Sequence, residues 1–289
     1  MSRPDDGAGG EDAGGAFRSL SRPADDAAVR DATGPLPLSA KRLALVTGGH
    51  RRLGAEISSA LSRAGYALAL HGSHDVRLES SLALTLEANA TEWEGFVADF
   101  ADPEAAEELI GEVAAKFGRP PDLLVNSAAI FGQDRLENVT AKDLMTHYAV
   151  NCAAPVLLTK AFATVPAGPT DRCIINILDQ RIDHPHGDQL AYTLAKMGLA
   201  GFTQLTAREL APRVRVNAVA PGLTIATSDY SDAQMERLAG AMPLDRLPQA
   251  GQIADAVMYL AQATAVTGQV LYVDAGAHMQ SYSRDFMHL

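Results

Sequence analysis

From residue 43 onward the chain alternates short apolar runs with longer stretches of helical spacing, and this pattern limits the possible folds most. Apolar runs occupy 43–46, 66–70, 95–97, 123–125, 173–177, 214–217 and 270–273, and helical spacing fills 53–63, 78–87, 103–117, 141–162, 189–210 and 253–261. A run that is apolar at consecutive positions buries both faces, as strands do in a parallel sheet covered on both sides. The expected architecture is one α/β domain, a doubly wound seven-stranded parallel sheet with helices on both faces.

Residues 1–40 break this pattern. They hold six glycines and four arginines against seven Asp and Glu, with few large apolar side chains, and carry −3 of the net −11. Such a segment cannot offset its ordering entropy by burial. It is expected to be a disordered acidic arm, with the folded domain at 41–289. The remaining charge of −8 argues against a nucleic-acid or anionic-membrane partner, while leaving room for a small basic pocket. Two cysteines in 289 residues cannot form a disulfide framework, which favours a reducing, cytoplasmic setting. No apolar run reaches membrane-span length.

The first strand ends in Thr47-Gly-Gly-His-Arg-Arg-Leu-Gly54. Glycines at a strand-to-helix junction permit a tight turn, and the helix N-terminus presents free N–H groups to a pyrophosphate. Gly48, His50, Arg51, Arg52 and Leu53 are the expected cofactor contacts here. Two arginines at a helix N-terminus, where cations are disfavoured, suggest that a ligand supplies the countercharge. After the second strand, Ser73 takes the place of the acid that reads an NAD ribose, and His74 follows it. A hydroxyl and an imidazole near Arg51 suit the extra phosphate of NADP, although Asp75 is close by.

Tyr192 and Lys196 are four residues apart in an expected helix and so share a face. An ammonium beside a phenol stabilises the phenolate and brings the group towards acid–base work at neutral pH. Together with the glycine turn, Asn126-Ser-Ala-Ala129, Asn151 and Pro221-Gly222, the pair resembles the short-chain dehydrogenase/reductase family over about residues 41–276. The resemblance implies a single-domain Rossmann fold, an NADPH cofactor and a homotetramer. Tyr192 becomes the proton donor, Lys196 its partner at the nicotinamide ribose, and Asn151 the anchor of a proton-relay water. Asn126, Ser127 and Ala128 line the adenosine side, Asp99 and Phe100 the adenine, and Pro221, Gly222 and Thr224 the carboxamide side. A substrate lid is implied at about 224–246.

One position departs from that family. Thirteen residues before Tyr192, where the family has a carbonyl-orienting Ser, stands Asp179. Asp179, the arginine at position 52 and Phe131 resemble the pteridine reductase branch. A carboxyl group can pair with the amidine-like edge of a pterin or manage a proton at a ring nitrogen. Phe131 and Arg52 would hold that ring, whereas Ala129 departs from the polar residue of that branch. The leading expectation is NADPH-dependent reduction of a dihydropterin or dihydrofolate. The alternatives are a short-chain reductase of another carbonyl (sugar, acyl thioester or aldehyde) and a non-catalytic cofactor-binding regulator. Asp183, His184, His186 and Asp188 are expected on a solvent-facing loop without metal. Cys152 and Cys173 are expected as small core residues, and the C-terminal nine residues in solvent or at a neighbouring subunit's site, with Arg284 a contact there.

Overall fold

A computed structural model describes residues 41–168, 171–225 and 230–289. The arm expected over residues 1–40 lies outside the described residues. The seven strands are β1 (Leu43–Thr47), β2 (Ala67–Gly72), β3 (Trp93–Val97), β4 (Leu123–Asn126), β5 (Arg172–Ile177), β6 (Val214–Pro221) and β7 (Val270–Val273). All pair in parallel in the order β3-β2-β1-β4-β5-β6-β7. The order reverses between β1 and β4, and the crevice beyond the strand ends at such a point is where ligands bind in open α/β sheets.

Consecutive strand residues feed two cores, because side chains alternate across a sheet. Ala44 and Val46 join Leu68, Leu70, Val125 and Ile175 beneath helices α1 (Arg52–Arg63) and α2 (Ser80–Ala88). Leu43 and Leu45 join Leu124, Ile174 and Val216 on the opposite face, against α3 (Pro103–Phe117). Each fully buried Leu contributes roughly 1.5–3 kcal/mol, so the two faces together tolerate no polar alternation in β1. The limits of α3 follow from local chemistry. Asp102 caps Glu104 N, Pro103 opens the helix, and Gly118 ends it in a left-handed conformation.

Two stretches differ from the sequence reading. The expected helix over 141–162 is three pieces: α4 (Ala141–Tyr148), a π-helical segment (Ala149–Ala153), and α5 (Ala154–Thr164). The wide turn carries Asn151, and Pro155, which lacks an N–H, sits just after it. The expected lid contains a helix, α7 (Asp232–Ala241), capped by Ser231 Oγ accepting from Gln234 N. Residues 226–229 lie outside the described residues. The other helices are α6 (Leu190–Leu210) and α8 (Ala250–Gln262). No described helix is long and apolar enough to cross a membrane.

Candidate active site

The turn after β1 is shaped by the backbone. Gly48 has φ +62°, and a Cβ at Gly54 would lie 2.0 Å from Gly48 O. Only glycine permits that approach, so the start of α1 is pressed against the turn. The N-cap residue Arg51 makes no side-chain cap bond and the first turn has no acid of its own, so the helix dipole is met there by Glu79, which takes the Arg52 N–H. Thr47 Oγ1 accepts from Ser127 N (2.9 Å) and Ala128 N (3.0 Å), tying the turn to the end of β4. Arg51 and Arg52 are exposed at the rim. Arg52 adopts φ +51°, and its N–H donates to Glu79 Oε1 at 2.6 Å.

His71 is a part of this turn that sequence reasoning passed over. Gly48 N donates to its Nδ1 (3.2 Å), and its Nε2–H donates to Ala98 O (2.8 Å). The ring is thereby a neutral imidazole with one tautomer. Burial lowers its pKa to about 4. It stacks on Phe100 at 4.1 Å and 7° and so sets that ring's position. The only sequence signal was a histidine at the end of a strand otherwise buried and apolar.

A continuous cavity of about 770 Å³ runs from this turn to Tyr192. Of the expected cofactor contacts, Gly48, His50, Arg51, Arg52, Leu53, Ser73, His74, Asp99, Phe100, Ser127, Ala128, Lys196, Pro221, Gly222 and Thr224 line it, with Tyr192 at the far end. Asp75 is not among the lining residues. Asn126 and Asn151 lie behind the wall. Asn126 Nδ2 donates to Asn176 Oδ1 at 2.8 Å, so the side chain joins β4 to β5. Asn151 is fully buried, with its amide spent on Ile130: Oδ1 accepts from Ile130 N (2.9 Å) and Nδ2 donates to Ile130 O (3.0 Å). Its side chain therefore fixes the loop leading to Phe131.

At the substrate end, Tyr192 is 2% exposed and its hydroxyl donates to Asp179 Oδ2 at 3.0 Å. Burial, then the charge of Asp179, holds its pKa well above that of a free phenol. Lys196 Nζ donates to Ile177 O at 2.6 Å and lies 5.7 Å from the Tyr192 ring centre. Burial lowers its pKa to about 8, against the opposing pull of Asp179 and Cys152. Phe131, 58% exposed, has its ring 4.6 Å from that of Tyr192.

Two expectations near this end are corrected. The 183–188 loop is not wholly solvent-facing, because Asp188 is buried between Arg135 Nε (3.0 Å), Arg284 Nε (3.5 Å) and Asp285 N (2.9 Å), and the His186 ring is also covered. The C-terminal residues fold back onto their own chain, where Asp285, Phe286 and Met287 line the cavity. Arg181, unremarked in the sequence, is buried between Asp179, Asp285 and Gln189. Cys152 and Cys173 are buried free thiols, and burial pushes Cys173 up to about 11. Among the described residues no group of three or more His, Cys, Asp or Glu side chains is placed to hold a metal ion.

This fold, with a phosphate-sized turn joined by one cavity to a buried Tyr–Lys pair, defines a dinucleotide-type oxidoreductase. Residues 49–278 match the family model described as enoyl-(acyl carrier protein) reductase, and the chain belongs to the short-chain dehydrogenase/reductase family. The 3-oxoacyl-acyl-carrier-protein reductase FabG of Pseudomonas aeruginosa is 34% identical over 82% of this chain and 98% of that protein. FabG of Escherichia coli is 32% identical over the same shares. Among solved structures, FolM alternative dihydrofolate reductase 1 from Brucella canis, complexed with NADP, superposes with a TM-score of 0.78. It is 30% identical and covers 85% of this chain and 97% of its own. A Serratia marcescens short-chain dehydrogenase/reductase variant gives 0.73 at 28% identity, over 81% of this chain and 97% of its own.

Proposed function

We propose that the protein is an NADPH-dependent reductase of a pteridine ring, of the dihydropterin or dihydrofolate type. The Asp179–Tyr192 hydrogen bond carries this reading, since it puts a carboxylate where a carbonyl reductase of this family has a hydroxyl. The Gly48–Gly54 cradle and the start of α1 fit a pyrophosphate. Arg51, Ser73 and His74 on the cavity wall fit a 2′-phosphate better than a ribose hydroxyl, and the NADP-bound FolM neighbour supports this cofactor.

NADPH, when bound, supplies the hydride. Tyr192 remains a phenol at neutral pH and is the proton donor to the substrate. The Lys196 ammonium offsets the charge left on the phenolate. Asp179 Oδ1 is occupied by Arg181 N (3.0 Å) and Nε (3.1 Å), so Oδ2 is the oxygen available to Tyr192 and to the amine-bearing edge of a ring. Phe131 offers its exposed face to a flat substrate, and Arg52 at the rim completes the ring contacts. Exposed Met145 and Tyr148 on α4, with Leu194, Met197 and Leu205 on one stripe of α6, provide apolar surface for the homotetramer. Gel filtration with light scattering measures that mass.

The FabG relatives favour a second reading, reduction of a 3-oxoacyl thioester. Side-by-side assay of dihydropterin, dihydrofolate and an acetoacetyl thioester with NADPH separates the two. We expect ring reduction to be preferred and Asp179→Ser to lower its kcat/KM at least tenfold (about 1.4 kcal/mol). Full ring activity in that variant, or a preference of the parent for the thioester, overturns the pteridine reading.

A further inference from the structure

The side of Asp179 away from Tyr192 is closed by a buried ion cluster that the reaction chemistry does not itself require. Arg181, two residues after Asp179, spends its guanidinium on three groups at once. Nε binds Asp179 Oδ1 (3.1 Å), Nη1 binds Gln189 Oε1 (2.9 Å) and Nη2 binds Asp285 Oδ2 (2.9 Å). The same guanidinium carbon lies 5.3 Å from the Tyr192 ring centre. Asp285 belongs to the C-terminal segment and is anchored there from other sides. Its N–H donates to Asp188 Oδ2, its Oδ1 accepts from Met287 N, and Gln234 Nε2 on α7 donates to Phe286 O and Met287 O. The next two residues, Phe286 and Met287, form part of the cavity wall.

We infer that Arg181 is a positioning residue that fixes the Asp179 carboxylate and latches the C-terminal tail, through Asp285, over the chain's own substrate site. This rests on the proposed pairing of Asp179 with Tyr192. Asp179 and Asp285 both bond the one guanidinium, whose charge offsets their mutual repulsion while it holds one oxygen of Asp179 away from the reaction. The planar fork of arginine can reach three acceptors in fixed directions, which a lysine ammonium on a flexible stem cannot. Tail and catalytic pair are therefore joined through one side chain, and Phe286 and Met287 set how far a bulky ring substituent can extend.

The charged and titratable groups facing this cluster are Asp179, Arg181 and His186 from the segment after β5, Tyr192 and Lys196 from α6, and Asp285 from the tail. Asp188, with Arg135 and Arg284, lies just behind. Asp285 disfavours the Tyr192 phenolate, whereas Arg181 favours it.

The test uses full-length protein carrying Arg181→Lys, Asp285→Asn or Asp179→Asn, assayed with NADPH and either dihydrofolate or an acetoacetyl thioester. Amide hydrogen exchange of residues 281–289 serves as a readout that needs no substrate. Arg181→Lys is expected to lower kcat about tenfold, to change NADPH affinity less than about twofold, and to speed tail exchange. Asp285→Asn, nearly isosteric and so protected against misfolding, is expected to speed the same exchange, raise the KM of the ring substrate, and move the alkaline limb of kcat to lower pH. A merely structural Arg181 would lower kcat and cofactor affinity together without moving that limb. Parent-like tail exchange in both Arg181→Lys and Asp285→Asn, or a parent-like kcat in Arg181→Lys, overturns the inference. Full activity of Asp179→Asn with tail exchange still sensitive to Arg181 would instead overturn the acid–base reading and leave the latch standing.

Discussion

The two ends of the cavity are built by opposite means. At the β1–α1 turn the shape is set by the backbone, and Gly48 and Gly54 serve by lacking a Cβ. At the Tyr192 end the geometry belongs to side chains from three distant segments: Asp179 and Arg181 after β5, Tyr192 and Lys196 on α6, and Asp285 near the C-terminus. A backbone cradle accepts any ligand bearing the same diphosphate. A buried cluster of side chains discriminates, because each member's charge depends on the others. That division suits a protein whose family shares a cofactor while differing in substrates.

If the division is real, substitutions at the two ends should separate binding from chemistry. The largest effect is expected from Tyr192→Phe, which removes the proton donor. Its kcat should fall at least about 100-fold, while NADPH affinity, measured by fluorescence titration, stays within about threefold. Equal losses in both would break the comparison. Gly54→Ala should do the reverse. Its Cβ cannot coexist with Gly48 O at 2.0 Å, so the turn must open, at a cost of about 1–3 kcal/mol in thermal stability and a matching loss of NADPH affinity. The kcat at saturating cofactor should change little.

His71 supplies a pH-dependent version of the same test. Its folded pKa is lowered to about 4 from an ordinary 6.5, so the unfolded chain takes up its proton first as pH falls. The stability it protects is complete above about pH 6.5 and is lost as pH falls towards 4. Urea denaturation at pH 5 should give about 2 kcal/mol less stability from this group than at pH 7. NADPH affinity should weaken over the same range, since a protonated Nδ1 cannot accept from Gly48 N. A His71→Gln variant should show a flatter profile. The smallest change is expected from Arg51→Ala. This exposed charge at the rim should cost about fivefold in NADPH affinity and almost nothing with NADH, and the difference should shrink in high salt. Equal losses for the two cofactors would remove Arg51 from recognition of the 2′-phosphate.

Much of this was legible in the sequence because its causes are local. Seven apolar runs gave the strands, helical spacing over 103–117 gave α3, and the four-residue spacing of Tyr192 and Lys196 put both on one side of α6. The single helix expected over 141–162 was misread for a physical reason. A π turn adds a residue to the helical repeat without altering which residue types occur, so Pro155 was the one local sign of the break around Asn151 and did not show its form. Asn126 and Asn151 were legible as important positions, but which groups their amides bind depends on strands and loops that meet only in the fold.

The sequence by itself determined the alternation of strands and helices, the glycine turn, the Tyr–Lys pair and the unusual Asp179. Each is fixed by steric limits or by spacing within a few residues. Tertiary structure decided that His71 is held as one neutral tautomer under the turn, that Asp188 is buried, and that Asp285 returns across 104 positions to share Arg181 with Asp179. Those outcomes depend on burial and on charges brought together from remote segments. Both exist only once the sheet and its helices have closed around them.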